Sequence, residues 1–440
     1  MKNKTLLIIS FLTFNLIVSQ DLKLPTIFSN NMIMQQESVV SIWGWSKPNS
    51  KVSINVSWNK KKYKTKSNNS GEWLLKISTP KAGEAHKISI GTNTDLIHIT
   101  NVLMGEIWIA SGQSNMQMNL NGYKNEPIIG ANDAIANSKN SRIRFFTVER
   151  NTSKIPLDNL IGKWSVSNQE NSPFFSAVAY SFANYLNKTL DVPIGIIHTS
   201  WGGTPAEAWT DSKSLSANFE KSEIKNHGGR PSDEPSSLYN AMISPLTNYC
   251  IKGAIWYQGE SNVSRASSYA KLKNSMIEGW RREWNQGLFP FYFVQISPYK
   301  YDGSEKTSSA FLREAQLNTM LNTPNTGMTV SLDVGDENSI HPSRKFILGK
   351  RLAYWALNKD YGLKSVQFSG PVYKSLEIKQ DKILIKFDFA ENGLYSPNDL
   401  INNFELASED KVFYPASARI MWDHLEVKSD QVKNPIHVRY

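Results

Sequence analysis

The sequence is nearly free of cysteine, and Cys250 is its one example among 440 residues. An internal disulfide therefore cannot form, so packing, hydrogen bonds and ion pairs must hold the fold together. The sequence also lacks a cluster of potential metal ligands, a phosphate-binding glycine loop and a long internal repeat. We therefore expect a protein that uses neither a metal ion nor an organic cofactor.

Neither positive nor negative charge is concentrated in one part of the sequence. Lysine and arginine number 49 against 39 aspartate and glutamate residues, which gives a formal net charge of +10. These basic residues form no continuous block, so they indicate a diffusely basic surface and not a groove for nucleic acid. We expect no nucleic-acid partner, and the pattern leaves the oligomeric state open.

Long apolar runs are equally scarce, and the one that exists lies at the N-terminus. Residues 6–18 are apolar, follow Lys2 and Lys4, and precede the polar Asp21. This order is typical of a signal peptide over residues 1–20, and the run is shorter than the roughly 20 residues that span a bilayer. We expect a secreted or periplasmic protein with no stable membrane insertion after signal removal.

The remaining chain divides into three predicted segments. Residues 21–104 alternate apolar and polar residues in short runs between turn residues, which indicates an N-terminal β module. Residues 105–365 alternate strands with helices, which indicates an α/β domain whose parallel sheet carries helices on both faces. Residues 366–440 return to short strands. The pattern leaves open whether they form a second β module or complete the first one.

Four polar loops follow predicted strands of the α/β segment. The strands are residues 107–110, 192–198, 252–257 and 328–333, and the loops after them contain Ser114, the pair Gly202 and Gly203, Gln258, and His341. In an open parallel sheet, ligands bind beyond the carboxyl ends of the strands. Because all four loops leave those ends, we interpret them as parts of one site.

The loop after residues 107–110 presents a serine that is suited to nucleophilic attack. A strand that stops at a tight turn of small residues lifts Ser114 clear of the sheet. Serine is a weak nucleophile unless an adjacent base takes its proton. His341 is the histidine best placed for that role, whereas His198 lies inside an apolar strand. The sequence therefore predicts a Ser114–His341 pair.

Acyl transfer through such a pair also needs donors for an oxyanion. The backbone N–H of Ser114, that of Gly202 or Gly203, and the side-chain amide of Gln258 form the natural set. Glycine allows the backbone to approach a substrate closely because it has no Cβ. We predict Gly203 and Gln258 as the oxyanion hole.

Four sequence blocks of the α/β segment share a family pattern. They are Ser111-Gly-Gln-Ser-Asn-Met116, His198-Thr-Ser-Trp-Gly-Gly-Thr-Pro205, Trp256-Tyr-Gln-Gly-Glu-Ser-Asn262 and Ile340-His-Pro342. Together with shorter matches near both ends, they resemble the sialate O-acetylesterase family of SGNH hydrolases over about residues 23–440. The resemblance implies an SGNH-hydrolase-like three-layer α/β/α sandwich with a parallel sheet, flanked by β-sandwich (jelly-roll-like) segments.

The same resemblance implies a serine esterase that removes acetyl groups from sugar hydroxyls. It makes Ser114 the nucleophile and His341 the base, with Gly203 and Gln258 as oxyanion donors. Many SGNH hydrolases place the acid three residues before the histidine, but Asn338 stands there in this sequence. Asp336 is the predicted acid; Glu337, or a Ser–His dyad backed by a backbone carbonyl, is an alternative.

The expected substrate is an acetylated carbohydrate. We predict that Asn115, Trp201 and Glu260 contact it, although Glu260 could equally brace its loop, for instance by pairing with Arg265. Acetylxylan or another polysaccharide is an alternative to sialate, because the acetyl end of the substrate is the same. A catalytically weak carbohydrate-binding protein on an esterase scaffold is the alternative from another functional class.

Overall fold

The computed structural model describes residues 21–301, 307–396 and 400–440, so the predicted signal peptide at residues 1–20 lies outside the described residues. No helix within these ranges combines the length and apolar character needed to cross a bilayer. The helices are α1 Ser114–Gln117, α2 Ala131–Ala136, α3 Ala177–Leu190, α4 Ser212–Asn218, α5 Ala266–Trp284, α6 Ser308–Asn322 and α7 Lys345–Lys359.

The strands fall into an N-terminal, a central and a C-terminal group. The N-terminal strands are β1 Ile33–Gln35, β2 Val39–Trp45, β3 Lys51–Val56, β4 Lys62–Lys66, β5 Glu72–Ser78 and β6 His86–Gly91. The central strands are β7 Leu96–Gly112, β8 Asn140–Val148, β9 Gly162–Ser167, β10 Ile194–Ser200, β11 Gly253–Tyr257, β12 Phe291–Val294 and β13 Thr326–Thr329. The C-terminal strands are β14 Val372–Lys379, β15 Lys382–Asp388, β16 Ile401–Ala407, β17 Tyr414–Ile420, β18 Leu425–Lys428 and β19 His437–Arg439.

The central sheet has the order β13-β12-β11-β7-β10-β8-β9. Every neighbouring pair is parallel except β8 and the edge strand β9, which are antiparallel. Helices α3 and α7 pack together on one face, and α5 and α6 pack together on the other. The predicted α/β class and its parallel, helix-covered sheet are therefore confirmed.

The middle strand β7 shows why this sheet forms. Ile107 and Ile109 lie in one core with Trp280 of α5, whereas Trp108 lies in the opposite core with Phe182 of α3. All five side chains are fully buried. A strand buried on both faces has to be apolar at successive positions, which is the pattern that its sequence carries.

Strand β7 also joins the N-terminal module to the central sheet. Its first part pairs antiparallel with β6 and its middle part pairs parallel with β1, while its last residues lie between β10 and β11. The strand therefore crosses the predicted boundary between residues 104 and 105. The domain boundaries themselves stay predictions.

The N-terminal module is a β-sandwich. The β2–β5 pair packs its apolar side chains against β3, β6 and β7, with Ile42 and Ile54 fully buried in one shared core. Strand β4 was not expected from the sequence, because Lys62–Lys66 is largely charged and only Tyr63 is buried. It forms because the exposed side of a sandwich edge tolerates lysine.

The C-terminal strands form a separate antiparallel sheet with the order β14-β15-β18-β17-β16-β19. Its core contains Ile383, Leu406 and Val427, each fully buried. Neither sheet of the N-terminal sandwich contains these strands, and the division of the chain into domains stays a prediction.

Helices α3 and α7 begin later than their local sequence pattern suggests. Ser172 followed by Pro173 is typical of an N-cap and a first helical residue, but residues 172–174 form a short 3₁₀ turn. Phe175 is extended, and the Ser176 hydroxyl caps the helix by accepting a hydrogen bond from Ala179 N at 3.2 Å. Helix α7 likewise begins at Lys345, although Pro342 is a residue suited to a first helical position. The start of α3 follows from its satisfied Ser176 cap, whereas α7 begins without a side-chain cap.

Candidate active site

The turn between β7 and α1 fixes the position of Ser114. Gly112 has φ +136°, and a Cβ added there would lie 2.1 Å from the Tyr257 carbonyl oxygen. Gln113 N then donates to that same oxygen at 3.0 Å, which ties the turn to strand β11. Ser114 is the first residue of α1 and is half-buried. Only glycine fits where the backbone turns this sharply, so the turn follows directly from the sequence.

A chain of two hydrogen bonds links Ser114, His341 and Glu126. The Ser114 Oγ lies 2.8 Å from His341 Nε2, and His341 Nδ1 lies 2.9 Å from Glu126 Oε2. The carboxylate accepts the Nδ1 proton, which leaves Nε2 free to accept the serine proton. This is the arrangement of nucleophile, base and orienting acid that activates serine in hydrolases of several folds.

Glu126 is held by a tight turn with Tyr123. The two residues exchange backbone hydrogen bonds, and each N–H lies 3.0 Å from the other residue's carbonyl oxygen. The Tyr123 hydroxyl donates to the Ser114 carbonyl at 3.1 Å, and its ring lies edge-on to the His341 ring with centroids 5.2 Å apart. Tyr123 therefore contacts both reactive residues and fixes the loop that carries the acid.

The surroundings of His341 keep its imidazole neutral at neutral pH. Burial is the main effect and lowers the pKa of His341 below its ordinary 6.5, and the nearby Lys345 acts in the same direction. The hydrogen bond and charge of Glu126 oppose this by raising the same pKa. A general base must be unprotonated at the working pH, so this balance suits proton abstraction from Ser114.

The prediction that Asp336 is the acid is corrected by the structure. Asp336 Oδ1 accepts from Asn338 N at 2.9 Å, within a turn that it forms with Ser339. The loop thus folds back on itself, and Glu126 from a different loop occupies the Nδ1 side of His341. No periodicity or motif marked Glu126, which is 215 positions from the histidine in the chain.

Two backbone N–H groups remain available for an oxyanion. Gly202 N is committed to Gln117 Oε1 at 2.8 Å. The N–H groups of Ser114 and Gly203, by contrast, have no protein acceptor in the described part of the chain. A Cβ added to Gly202 would lie 3.3 Å from Ser114 Cβ, which places the Gly202–Gly203 turn directly against the nucleophile. Gly203 stays the predicted oxyanion donor beside Ser114.

Gln258 does not belong to that donor set, and its prediction is corrected. Its side chain is fully buried, and Nε2 donates to Asn262 Oδ1 at 2.7 Å and to the Thr204 carbonyl at 3.2 Å. Its Oε1 accepts from the Tyr269 hydroxyl at 2.9 Å. Both amide protons are therefore used within the protein, and Gln258 joins the loops after β10 and β11.

Asn115 and Glu260 were predicted to contact substrate, and the structure corrects both. Asn115 is fully buried and Glu260 is nearly so, with 9% of its surface exposed. Asn115 Nδ2 donates to Glu260 Oε1 and, at 2.9 Å, to the Ile340 carbonyl. Arg265, the other candidate partner of Glu260, pairs with Glu207 at 3.3 Å. The two residues thus brace the nucleophile turn against the loop that carries His341.

Lys345 completes this buried network and was not found from the sequence. Its Nζ donates to Asn115 Oδ1, and the side chain is fully buried at the start of α7. Burial lowers the pKa of Lys345 to about 7 and raises that of Glu260, while the attraction between the two groups opposes both shifts. A lysine at the first turn of a helix is ordinarily exposed, so no sequence signal marks it.

Trp201 immediately precedes the Gly202–Gly203 turn, and Arg150 lies against its ring. Trp201 follows β10 and is half-buried, and its backbone N–H donates to the Gly112 carbonyl at 3.1 Å. The exposed Arg150 guanidinium lies over its indole, with 5.7 Å from the guanidinium carbon to the ring centroid. Across the described ranges Arg150 makes no ion pair. Trp201 stays a predicted substrate contact.

The other titratable groups near the site have structural surroundings. His198 is buried with its Nε2 bonded to the Ser200 hydroxyl at 2.7 Å, and burial lowers its pKa to about 4. Over residues 21–301, 307–396 and 400–440, no group of three or more His, Cys, Asp or Glu side chains is arranged to hold a metal ion. His341, whose Nε2 lies 2.8 Å from Ser114 Oγ, is the histidine to which the serine proton can pass.

Glu126→Gln tests the acid directly. The amide keeps the size of the side chain but removes its charge, so we expect kcat to fall about a hundredfold or more. Because Glu126 raises the pKa of His341, the acidic limb of the pH–rate profile should also move to lower pH. Hydrolysis of a chromogenic acetyl ester across pH measures both effects. Asp336→Asn is the matched control, and a larger loss in that variant would contradict the assignment.

Lys345→Met tests the buried network. Methionine keeps the length of the side chain but leaves the buried Asn115 Oδ1 without its donor and Glu260 without a nearby positive charge, so we expect the free energy of unfolding to fall by about 1–3 kcal/mol. We also expect kcat to fall while KM changes little, because Asn115, which holds Ile340 and the following His341, loses one of the bonds that fix it. Thermal unfolding and ester kinetics measure the two effects. Lys350→Met, an exposed lysine on the same helix, is the control; equal behaviour of both variants would refute the role.

The chain is similar to known carbohydrate esterases. Residues 104–358 match the family model described as carbohydrate esterase, sialic acid-specific acetylesterase. The sialate O-acetylesterases of Pongo abelii and Homo sapiens are each 31% identical over 404 residues, covering 82% of this chain and 75% of theirs. The crystal structure of a carbohydrate acetylesterase from Xanthomonas citri matches 95% of this chain and 94% of its own, with TM-score 0.87 and 32% identity. The chain therefore belongs to the sialic acid-specific acetylesterase family of carbohydrate esterases, which remove O-acetyl groups from carbohydrates.

Proposed function

We propose that this protein is an exported serine esterase that deacetylates sialic acid-containing carbohydrates through an acyl-enzyme. The observation that carries the mechanism is the continuous chain of hydrogen bonds from Ser114 through His341 to Glu126. A serine hydroxyl needs an oriented, unprotonated imidazole to become a nucleophile, and this chain supplies one. Export is supported by the N-terminal sequence pattern alone.

In the first half of the reaction, Ser114 Oγ attacks the acetyl carbonyl carbon while His341 Nε2 takes the hydroxyl proton. Glu126 stabilises the imidazolium that forms. The bond between the carbonyl carbon and the sugar oxygen then breaks, and His341 returns its proton to that oxygen. The sugar leaves with a free hydroxyl, and the acetyl group stays on Ser114 as an ester.

In the second half, a water molecule replaces the sugar. His341 takes a proton from the water as its oxygen attacks the acetyl-serine carbonyl. The bond to Ser114 Oγ breaks, the serine regains its proton from His341, and acetic acid leaves and ionises. In both halves, negative charge develops on the carbonyl oxygen. We infer that the N–H groups of Ser114 and Gly203, which have no protein acceptor in the described part of the chain, stabilise it. Such donors are each worth about 3–4 kcal/mol.

The preference for an anionic sugar rests on Arg150. The guanidinium makes no ion pair in the part of the chain that the structure describes, and it lies against Trp201, the residue before the Gly202–Gly203 turn. It is close enough to Tyr123, which touches His341, to act on the pKa of that tyrosine. A planar, unpaired guanidinium matches the carboxylate of a sialic acid. Acetylxylan, the alternative substrate, carries no such group on its acetylated xylose units.

Acetate release from a substrate panel tests the proposed activity. We expect release from O-acetylated sialosides at a higher kcat/KM than from acetylated xylan, because the acetylated xylose units of xylan carry no carboxylate that could pair with Arg150. Ser114→Ala should reduce release from all of them to background while the fold persists, as judged by circular dichroism. Equal rates in wild type and Ser114→Ala would rule out the mechanism.

Arg150→Ala separates the substrate preference from the chemistry. Loss of a charge-assisted contact worth about 1.5–3 kcal/mol should lower kcat/KM for an acetylated sialoside about tenfold or more. Hydrolysis of a small uncharged acetyl ester should change little, because that substrate has no group to pair with the guanidinium. Arg142→Ala, at an arginine paired with Asp191, is the control. An unchanged sialoside-to-ester ratio would contradict the preference but leave the esterase mechanism standing.

A further inference from the structure

A cavity of about 450 Å³ opens between the N-terminal sandwich and the central domain. One wall consists of Trp43, Trp45 and Glu72 from strands β2 and β5. The other includes Asp158, Ser244, Pro245, Thr247 and Asn248. Its volume falls within the range of small-ligand sites, roughly 300–1,000 Å³.

This cavity is separate from the active site. Residues 244–248 precede β11. Lys252 N, immediately before that strand, donates to the Ile107 carbonyl at 2.7 Å, and Ile107 lies near the point where β7 enters the central sheet. Ser114 follows the opposite end of that strand. None of the residues around the cavity contacts Ser114, His341 or Glu126.

The sandwich wall of the cavity is aromatic. Trp43 and Trp45 flank Gly44 on β2, and Gly44 leaves room for a third indole, because a Cβ there would lie 2.8 Å from the Trp73 ring. Trp45 is half-buried, so part of its ring faces the opening. The indole N–H groups of Trp43 and Trp45 donate to no protein acceptor among the described residues. This wall offers apolar surface with unused donors at its edge.

The facing wall carries two polar side chains that are not committed to the protein. Asp158 and Asn248 are exposed, and within the described ranges neither side chain has a hydrogen-bond or ion-pair partner. On the sandwich side, Glu72 accepts one hydrogen bond, from Asn68 at 2.9 Å, which leaves its other carboxylate oxygen free. Carboxylate and amide groups with free hydrogen-bonding atoms thus line a cavity whose sandwich wall also carries indole rings.

We propose that this cavity is a second, non-catalytic carbohydrate site that binds a neutral saccharide. A pyranose presents a face of C–H groups, which packs on an aromatic ring, and an edge of hydroxyl groups, which carboxylates and amides bind. Both charged residues that line the cavity, Glu72 and Asp158, are acidic. An anionic sugar would be repelled there, in contrast to the arginine beside the active site.

This assignment goes beyond the deacetylation reaction. A glycan that carries an acetylated sugar also carries other sugars, and a separate site for a neutral one would retain the enzyme on such a glycan between turnovers. Its effect should therefore appear in binding and in KM for long glycans, and not in hydrolysis of a small ester.

Titration calorimetry of the full chain with neutral disaccharides tests the proposal. The probes are cellobiose, lactose, maltose, xylobiose and chitobiose, with N-acetylneuraminic acid as the anionic comparison. We expect at least one neutral disaccharide to bind. Trp45→Ala and Asp158→Asn should each weaken that binding about tenfold or more, through loss of the stacking surface and of a charged acceptor. Trp422→Ala is the control, because Trp422 is 96% exposed and lies outside the cavity.

Three results would overturn the proposal. They are no binding of any neutral disaccharide at millimolar concentration, binding that survives in both cavity variants, and binding that is lost in Arg150→Ala but kept in Trp45→Ala. Hydrolysis of a small acetyl ester by the same cavity variants should equal that of the wild type. That measurement reports on the deacetylation mechanism separately, so failure of one proposal is distinguishable from failure of the other.

Discussion

The site depends on a hydrogen bond made by the buried side chain of Asn115. Asn115 follows the nucleophile, and its amide donates to the carbonyl of Ile340, the residue before the base. Ser114 and His341 are 227 positions apart in the chain, yet this one contact joins their immediate neighbours. The reactive pair is therefore positioned by a buried amide beneath it as well as by its own hydrogen bond, and reactive groups need support of this kind to stay within productive distance.

That support brings ionisable groups into the interior. Glu260 and Lys345 flank Asn115 away from solvent, where burial raises the pKa of the carboxyl and lowers that of the amine. Such groups destabilise a fold unless they are paired and hydrogen-bonded. The large apolar cores on both faces of the central sheet offset this cost. Ile107 and Trp108, for example, are buried on opposite faces of its middle strand. The site keeps its geometry at the expense of local stability.

The sequence predicted what local pattern controls. The short strands of the N-terminal β module, β2 and β5 among them, were predicted because their alternation and flanking turns are local signals. Ser114 and His341 were predicted because parallel topology brings all strand ends to one edge. Glu126 was missed because its loop has no periodicity, and Gln258 was assigned the wrong role because loop side-chain direction depends on distant partners. The Tyr269 hydroxyl, which donates a hydrogen bond to Gln258 Oε1, belongs to a residue 11 positions further along the chain.

The central claim is that His341 activates the Ser114 hydroxyl as the nucleophile. Its most direct test is covalent labelling with diisopropyl fluorophosphate, followed by peptide mass spectrometry and an ester assay on the same samples. The account predicts one adduct, on Ser114, formed in proportion to the loss of activity and absent from His341→Ala. Full activity in protein labelled at Ser114, or inactivation with the label on another residue, would contradict it.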